Sequence, residues 1–308
     1  MLNTSNLDDF LEEIRSISDL ELLLRPAEQK RFSRDFFDYS PILREKLAEC
    51  CADFVVKPLS VDAVLSVAFT CQKHEVPLTI RGAGTGNYGQ CVPLEGGVVM
   101  IMTSLTKIRN FNSETFEVTV EAGCLLGDLN KYLLLKGRQL RLLPSTWRTA
   151  SVAGFIAGGS GGIGSVRWGF LRDPGHLLGL EVVTLEECPR KIQLDARSSE
   201  ALNHAYGTNG IITSLTLSTC DAVDWQEVAI DCDDFFEAVE VFQSCTKAAV
   251  DLFLCSFLEN KIVECLPSWS GKWRGKNRLL LLVAPDGVST LERISMRNGV
   301  DFYHLGPE

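Results

Sequence analysis

Apolar positions recur along this chain in two periods, one near 3.6 residues and one of two, and their alternation predicts mixed helix and strand. Leu7, Phe10, Leu11 and Ile14 share one helical face near the N-terminus. A second acidic-apolar stretch, residues 19–24, stops at Pro26 and reads as helical. Through residues 32–39 aromatics mix with charges and no period is clear. From residue 53 the pattern changes. Residues 54–56 read as a short strand. Ser60 is placed to cap a helix through residue 72 with Val64, Leu65, Ala68 and Phe69 inward. Residues 78–80 form a strand that feeds a glycine-rich loop, and residues 98–102 form the next strand. Residues 116–122 alternate Val118 and Val120 against Thr119 and Glu121, as a half-buried strand does. Residues 125–136 form an amphipathic helix closed by Gly137. A second glycine-rich stretch, 151–169, precedes a strand at 180–185, a short helix at 199–206 and an alternating strand at 211–217.

Past residues 220–224 the glycine loops cease. Strands are expected at 227–230, 252–257, 262–265 and 278–284, with helices at 233–246 and 289–296. The fold class is therefore α+β. The expected organisation is a helical extension (1–50), a glycine-loop domain (51–221) and part of a second α+β domain (222–308).

The chain has 308 residues, 45% hydrophobic and 23% charged, enough to bury a core without a disulfide or metal staple. Its longest apolar run, 279–284, is far below the ~18 residues of a membrane span. The net charge of −10 disfavours nucleic acid and anionic lipid as generic partners. It leaves room for an anionic ligand held by backbone N–H groups. Eleven scattered cysteines without a C-x-x-C read as reduced, mostly buried thiols. The acidic N-terminus lacks a leader pattern, so a cytoplasmic location is expected.

Three glycine-bearing elements carry the candidate chemistry. Gly84-x-Gly86-x-x-Gly89 has the letters of a dinucleotide fingerprint. Pro93 and Gly96–Gly97 follow it where that fingerprint needs a helix, so a Rossmann reading is rejected. What survives is a loop whose backbone can approach a ligand and form an anion nest. Gly158-x-Ser160-x-Gly162 has the letters of a nucleophile elbow, which keeps a serine hydrolase acting through Ser160 as an alternative. The stretch Tyr206-Gly207-Thr208-Asn209-Gly210 is a turn into a strand. No lysine of a phosphate-binding P-loop and no H-E-x-x-H is present, and no metal site is expected.

Five signals in order resemble the FAD-binding domain of the p-cresol methylhydroxylase/vanillyl-alcohol oxidase type. Residues 77–90 resemble its first pyrophosphate loop. Glu121-Ala-Gly123 with the leucines of 125–133 resembles its strand and helix. Pro144-Ser-Thr146, Ala150-Ser-Val-Ala-Gly154 and the glycines of 158–165 resemble its second loop. Gly169, Asp173 and 179–183 resemble the segment after it, and 207–212 resembles its closing strand. Within that family the chain is most similar to the glycolate oxidase FAD subunit and D-lactate dehydrogenase branch.

The resemblance implies two α+β subdomains holding extended FAD, followed by a substrate-covering cap of which this chain carries part. It implies that Arg81, Gly82, Ala83, Gly84, Thr85, Gly86, Asn87, Gly89 and Gln90 wrap the pyrophosphate and the ring side. A second wall would be Pro144, Ser145, Ala150, Ser151, Gly154, Gly158, Gly161, Gly162 and Ser165. Gly210, Ile211 and Ile212 would lie against the adenosine half. Covalent members carry His in the first loop or Cys in the second. Thr85 and Gly/Ser stand there in this chain, so non-covalent FAD is expected. The implied activity is hydride transfer to the flavin from an alcohol or 2-hydroxy acid of the glycolate or D-lactate type. The alternative is an FAD-binding subunit or truncated relative without autonomous turnover, with a partner subunit completing the site. No catalytic base is assigned, although His176, Arg172 and Tyr88 lie in relevant stretches. The loop 269–276, where tryptophans alternate with Lys and Arg, is a candidate partner surface.

Overall fold

The computed structural model describes residues 4–266 and 275–305; the candidate partner loop falls mainly outside them. Packing divides the chain into two units, residues 1–161 with 171–220 and residues 162–170 with 221–308.

The first unit holds two sheets. One is ordered β1-β2-β4-β3, from β1 (Leu20–Leu23), β2 (Phe54–Pro58), β3 (Leu78–Arg81) and β4 (Val98–Ile101). β4 runs parallel to both β2 and β3, and every residue of it is buried. A central parallel strand covered on both faces needs such a continuous apolar run. The helix Val61–Lys73 lies between β2 and β3 in the chain, and Ser60 Oγ caps it by accepting Ala63 N–H at 3.1 Å. Its buried face is Val64, Val67, Ala68 and Cys71, whereas Phe69 is 46% exposed, contrary to expectation. The N-terminal helix Thr4–Ser16 buries Phe10 and Ile14 against this layer, with Phe10 and Phe54 ring centroids 5.5 Å apart.

The second sheet is antiparallel, β5-β6-β10-β8-β9, with β7 also on β10. Its strands are β5 (Ile108–Asn112), β6 (Glu117–Glu121), β7 (Arg138–Leu140), β8 (Leu177–Val183), β9 (Lys191–Asp195) and β10 (Ile211–Asp221). Val118 and Val120 of β6 are fully buried, as the alternation predicts. The helix Leu126–Leu134 buries Leu126, Leu129 and Leu133, and Gly137 beyond it takes φ +70°.

The second unit is an antiparallel sheet, β12-β13-β11-β14, from β11 (Gln226–Cys232), β12 (Leu252–Leu258), β13 (Asn277–Val283) and β14 (Asp301–His304). The helices Phe235–Lys247 and Val288–Asn298 cover it, around a core that includes Val228, Ile230, Val241, Leu279, Leu281 and Leu291.

Three segments depart from the sequence reading. Residues 20–23 are a strand, not a helix. They pair antiparallel with β2 from Leu20↔Pro58 to Leu23↔Val55, so an edge partner distant in sequence decides a run too short to choose for itself. The expected helix at 199–206 is shifted: Asp195 Oδ1 accepts Ser198 N–H at 2.8 Å and caps the short helix Ala196–Ser199. Turns follow, with His204 and Tyr206 at positive φ. Residues 260–265 are a helix, Asn260–Cys265, instead of a strand, with Val263 buried inward.

Within the second unit Arg278 Nε and Nη2 each donate to the Asp231 carboxylate at 2.7 Å, and both side chains are buried. Removing one partner strands the other charge. Asp231→Asn is expected to cost about 3–5 kcal/mol, and the double change Asp231→Leu with Arg278→Met far less. Urea unfolding of the three chains measures the difference.

Candidate functional site

β3 ends at Arg81, and the chain then enters the first glycine loop. The Arg81 side chain turns beneath the loop: Nη1 donates to Arg34 O at 2.6 Å and approaches Cys91 Sγ at 3.1 Å. Its guanidinium fills the space where a Cβ on Gly84 would stand, and Gly84 takes φ +72°, so only glycine fits there. Gln90 Oε1 accepts Tyr88 N–H at 3.0 Å across the far end. Between these fixed points no other described residue hydrogen-bonds to the backbone N–H of Ala83, Gly84, Thr85, Gly86 or Asn87.

The second wall grows from the other sheet. β6 runs into Ala122, whose carbonyl accepts Ala153 N–H at 3.1 Å, while Cys124 O accepts Val152 N–H at 2.8 Å. These bonds seat the helix Val152–Gly158 directly behind the strand end. The walls come closest at Gly82 and Gly154. A Cβ on Gly82 would overlap Ser151 Oγ, and one on Gly154 would stand 2.7 Å from it. Ser151 is 1% exposed, and its hydroxyl has no hydrogen-bond partner among the described residues. A third side comes from the turn before β10. His204 N–H and Tyr206 N–H donate to Ile156 O and Ala157 O at 3.0 and 2.9 Å, tying that turn to the last turn of the helix.

These elements enclose a cavity of about 360 Å³ within the first unit. It is lined by Gly82, Ala83, Gly84, Thr85, Gly86, Asn87 and Gln90 from the first loop. Pro144, Ser145, Ala150, Ser151, Gly154, Gly158 and Gly161 come from the second, and Gly210 and Ile212 from the third. Five expected residues are not in this lining. Arg81 points under the loop. Gly89 turns away, its N–H taken by Asp35 and its Cα facing Leu47. Ile211 is fully buried at the start of β10. Gly162 and Ser165 pack in the second unit, where Ser165 Oγ accepts Gly162 N–H at 3.1 Å.

The lining also includes residues that sequence reasoning missed. Ile80, Met102 and Ala122 lie at or just past strand ends, where the alternation of their strands already points them inward. Ala153, Phe155 and Ala157 belong to the helix within the glycine stretch. Cys91, Thr146, Tyr206 and Gly207 flank the motifs. Asp35 has no local signal at all. Of the residues noted as base candidates, Tyr88 lines the cavity. His176 is buried outside the lining, and Arg172 Nε lies 3.8 Å from Glu200. Ser160 lines the cavity, but no histidine is among the described lining residues; the His204 ring packs against Gly159 and its Nε2 pairs with Tyr206 Oη at 2.9 Å, and no hydrogen bond joins it to Ser160 among the described residues.

Two titrations are shifted at the wall. Burial pushes the Asp35 carboxyl above its ordinary value, against the pull of the Phe37, Gly89 and Gln90 N–H groups and of Arg81. Burial also raises the Cys91 thiol, with Arg81 opposing, so no reactive thiolate stands in the wall at neutral pH.

A run of backbone N–H groups with no partner among the described residues, lining one cavity with a buried, unpartnered hydroxyl, suits a ligand rich in acceptors, such as a diphosphate. Comparison with known proteins agrees. Residues 52–187 match the family model described as FAD binding domain. The chain is 31% identical over 131 residues to the glycolate oxidase subunit GlcD of Bacillus subtilis (strain 168), covering 42% of this chain and 27% of that one. The match to a probable mitochondrial D-lactate dehydrogenase of Danio rerio is 33% over 175 residues, 54% of this chain and 34% of the relative. A mitochondrial D-2-hydroxyglutarate dehydrogenase of Rattus norvegicus matches at 25% over 224 residues, 70% and 41% of the two chains. The chain thus spans about a third of the length of the curated relatives it matches. An alkyldihydroxyacetonephosphate synthase structure superposes with TM-score 0.82 at 18% identity, covering 97% of this chain and 64% of that one. A BBE-like 1 protein of Physcomitrella patens gives 0.72 at 17%, covering 97% and 63%. At such identities these two show the fold alone, one of mixed helix and sheet.

The closest approach of the walls yields a prediction. Gly82→Ala is expected to lower FAD affinity at least about tenfold, because the new methyl collides with Ser151 Oγ. Adding Ser151→Ala, which removes that oxygen, restores part of the loss. Fluorescence titration of the flavin reads both.

Proposed function

We propose that the cavity holds FAD non-covalently and that the chain serves the oxidation of an alcohol or 2-hydroxy acid of the glycolate or D-lactate type. The observation that carries this reading is the pairing of two glycine walls around the unpartnered Ser151 hydroxyl, inside a segment that matches the FAD binding domain model. Bound FAD supplies a two-electron acceptor, which no side chain offers. In this reading the N–H groups of residues 83–87 and Ser151 Oγ hold the diphosphate. Gly210 and Ile212 lie against the adenosine half, and Ile80, Met102 and Phe155 exclude water. Thr85 carries neither the imidazole nor the thiol of a flavin linkage, and the Cys91 thiol is kept protonated by burial, which supports non-covalent binding.

The substrate class comes from the relatives, whose names include glycolate oxidase and D-lactate dehydrogenase. The relative named as a subunit supports a partner chain that completes the site. The expected domain plan (1–50, 51–221 and 222–308) and the cytoplasmic location belong to the same proposal. For the location, the support is a chain whose buried thiols include Cys71, Cys124 and Cys245. Among the described residues no helix is long and apolar enough to cross a membrane.

The purified chain is expected to be yellow, and acid precipitation to release its flavin into the supernatant. Anaerobic addition of D-lactate or glycolate is expected to bleach the 450 nm band characteristic of oxidised flavin. Flavin retained in the pellet overturns the non-covalent assignment. A colourless chain that takes up no added FAD overturns the function.

A further inference from the structure

The cavity has an acidic wall that lies outside the matched family segment. Asp35 precedes residue 52, is half-buried and lines the cavity. Its Oδ1 accepts Phe37 N–H and its Oδ2 accepts Gly89 N–H, each at 2.9 Å. The neighbouring backbone grips the same loop twice more: Phe36 N–H donates to Gly86 O at 2.9 Å, and Arg34 O accepts Arg81 Nη1 at 2.6 Å. Residues 34–37 therefore hold the first glycine loop at its start, middle and end. The run of free N–H groups, 83–87, hangs between these anchors, so their positions set its curvature. Preorganised donors of this kind need no rearrangement when an anion arrives.

The charge at this anchor is unusual for its place. Among the described residues lining the cavity Asp35 is the only acid, and none is Lys or Arg. The charged group that faces it is Arg81, from the end of β3, with the Cys91 thiol beside that guanidinium; its other neighbours are N–H groups of Phe37, Gly89 and Gln90. A diphosphate entering the cavity brings negative charge towards a half-buried carboxylate, and like charges favour the neutral acid. Burial already biases it that way.

We propose that Asp35 is a positioning residue for the first glycine loop and that its carboxyl takes up a proton from solvent when the diphosphate of the cofactor enters. This rests on the FAD reading above. The neutral acid keeps one oxygen as an acceptor for the loop, and its O–H becomes a donor that a phosphate oxygen can use. Linkage then fixes the sign: the complex binds the proton more tightly than the free chain, so affinity rises as pH falls, by at most about tenfold per pH unit for one proton.

The test is calorimetric titration of the flavin-free full chain with FAD, in two buffers of different ionisation enthalpy, at several pH values between 5.5 and 8. The expected result is uptake of a fraction of a proton to one proton per FAD, with affinity rising towards acid. Asp35→Asn, which keeps one acceptor oxygen but does not titrate, is expected to fold with a lowered melting temperature because its amide N–H2 faces one of the two backbone donors, exchange no proton and show a flat profile. Asp35→Ala is expected to bind FAD about tenfold or more weakly at every pH. Proton uptake persisting in Asp35→Asn, wild-type affinity in Asp35→Ala, or FAD binding by the unaltered chain without proton exchange overturns the proposal and leaves FAD binding standing. An unaltered chain that binds no FAD at any pH overturns the functional reading itself.

Discussion

The first unit depends on how closely two backbones can approach. β3 of the mixed sheet and β6 of the antiparallel sheet deliver their chain ends to one place, and Gly82 meets Gly154 there with only the Ser151 hydroxyl between them. Side chains are excluded by overlap with backbone or with that oxygen. The same constraint acts one step back, where a Cβ on Gly123 would run into Met102 O. Gly123 N–H in turn donates to Leu105 O at 2.8 Å, so the segment leaving β4 is bonded to the segment leaving β6. The cavity is thus a consequence of how two sheets terminate, and its shape is as rigid as their cores. Those cores are fully buried at Val98, Val99 and Met100 on one side and Val118, Val120 and Leu129 on the other.

A lining without Lys or Arg follows from the same geometry. Glycine brings N–H groups close enough to serve as the donors, and backbone donors carry no desolvation penalty comparable with that of a buried ammonium or guanidinium. The Arg81 guanidinium is spent on structure, holding Arg34 O and filling the hollow under Gly84. An acidic chain of net charge −10 can therefore offer an anion site without a basic surface. The site is local, short-ranged and insensitive to the field of the whole molecule, because its donors are dipoles at contact distance.

Legibility in the sequence followed the range of the determining contact. Ser60 and its helix, the Val118/Val120 alternation and the closure of a helix by Gly137 are decided within a few residues, and the sequence shows them. Residues 20–23 are decided by hydrogen bonds to β2, far along the chain, and a four-residue run of leucines and glutamate fits either period. Residues 260–265 present Ile262 and Val263 in a run equally short, and the helix wins by burying Val263 alone. In the site, the glycines announced themselves because their absence of side chain is a local fact. Asp35 did not, since its partner Gly89 is remote and its neighbours are aromatics and charges without a period. Gly162 and Ser165 lie in the same glycine-rich stretch as the site residues, yet packing parts that stretch after Gly161 and assigns the rest to the other unit.

Sequence and structural likeness extend over different lengths of the chain, and the difference has a physical source. The family model stops at residue 187, whereas solved folds superpose over 97% of the chain at 17–18% identity. The glycine walls restrict substitution at their tight points, since a Cβ on Gly82, Gly84, Gly86 or Gly154 would overlap a neighbouring side chain. The second unit is held by an antiparallel sheet under two helices, where any apolar set of about the same volume and the same alternation fills the core. Its one exacting contact among the described residues is the buried Arg278–Asp231 pair, and a well-packed apolar pair can replace even that. Sequence similarity therefore persists where backbone approach is the constraint and fades where packing volume is, while the fold survives in both.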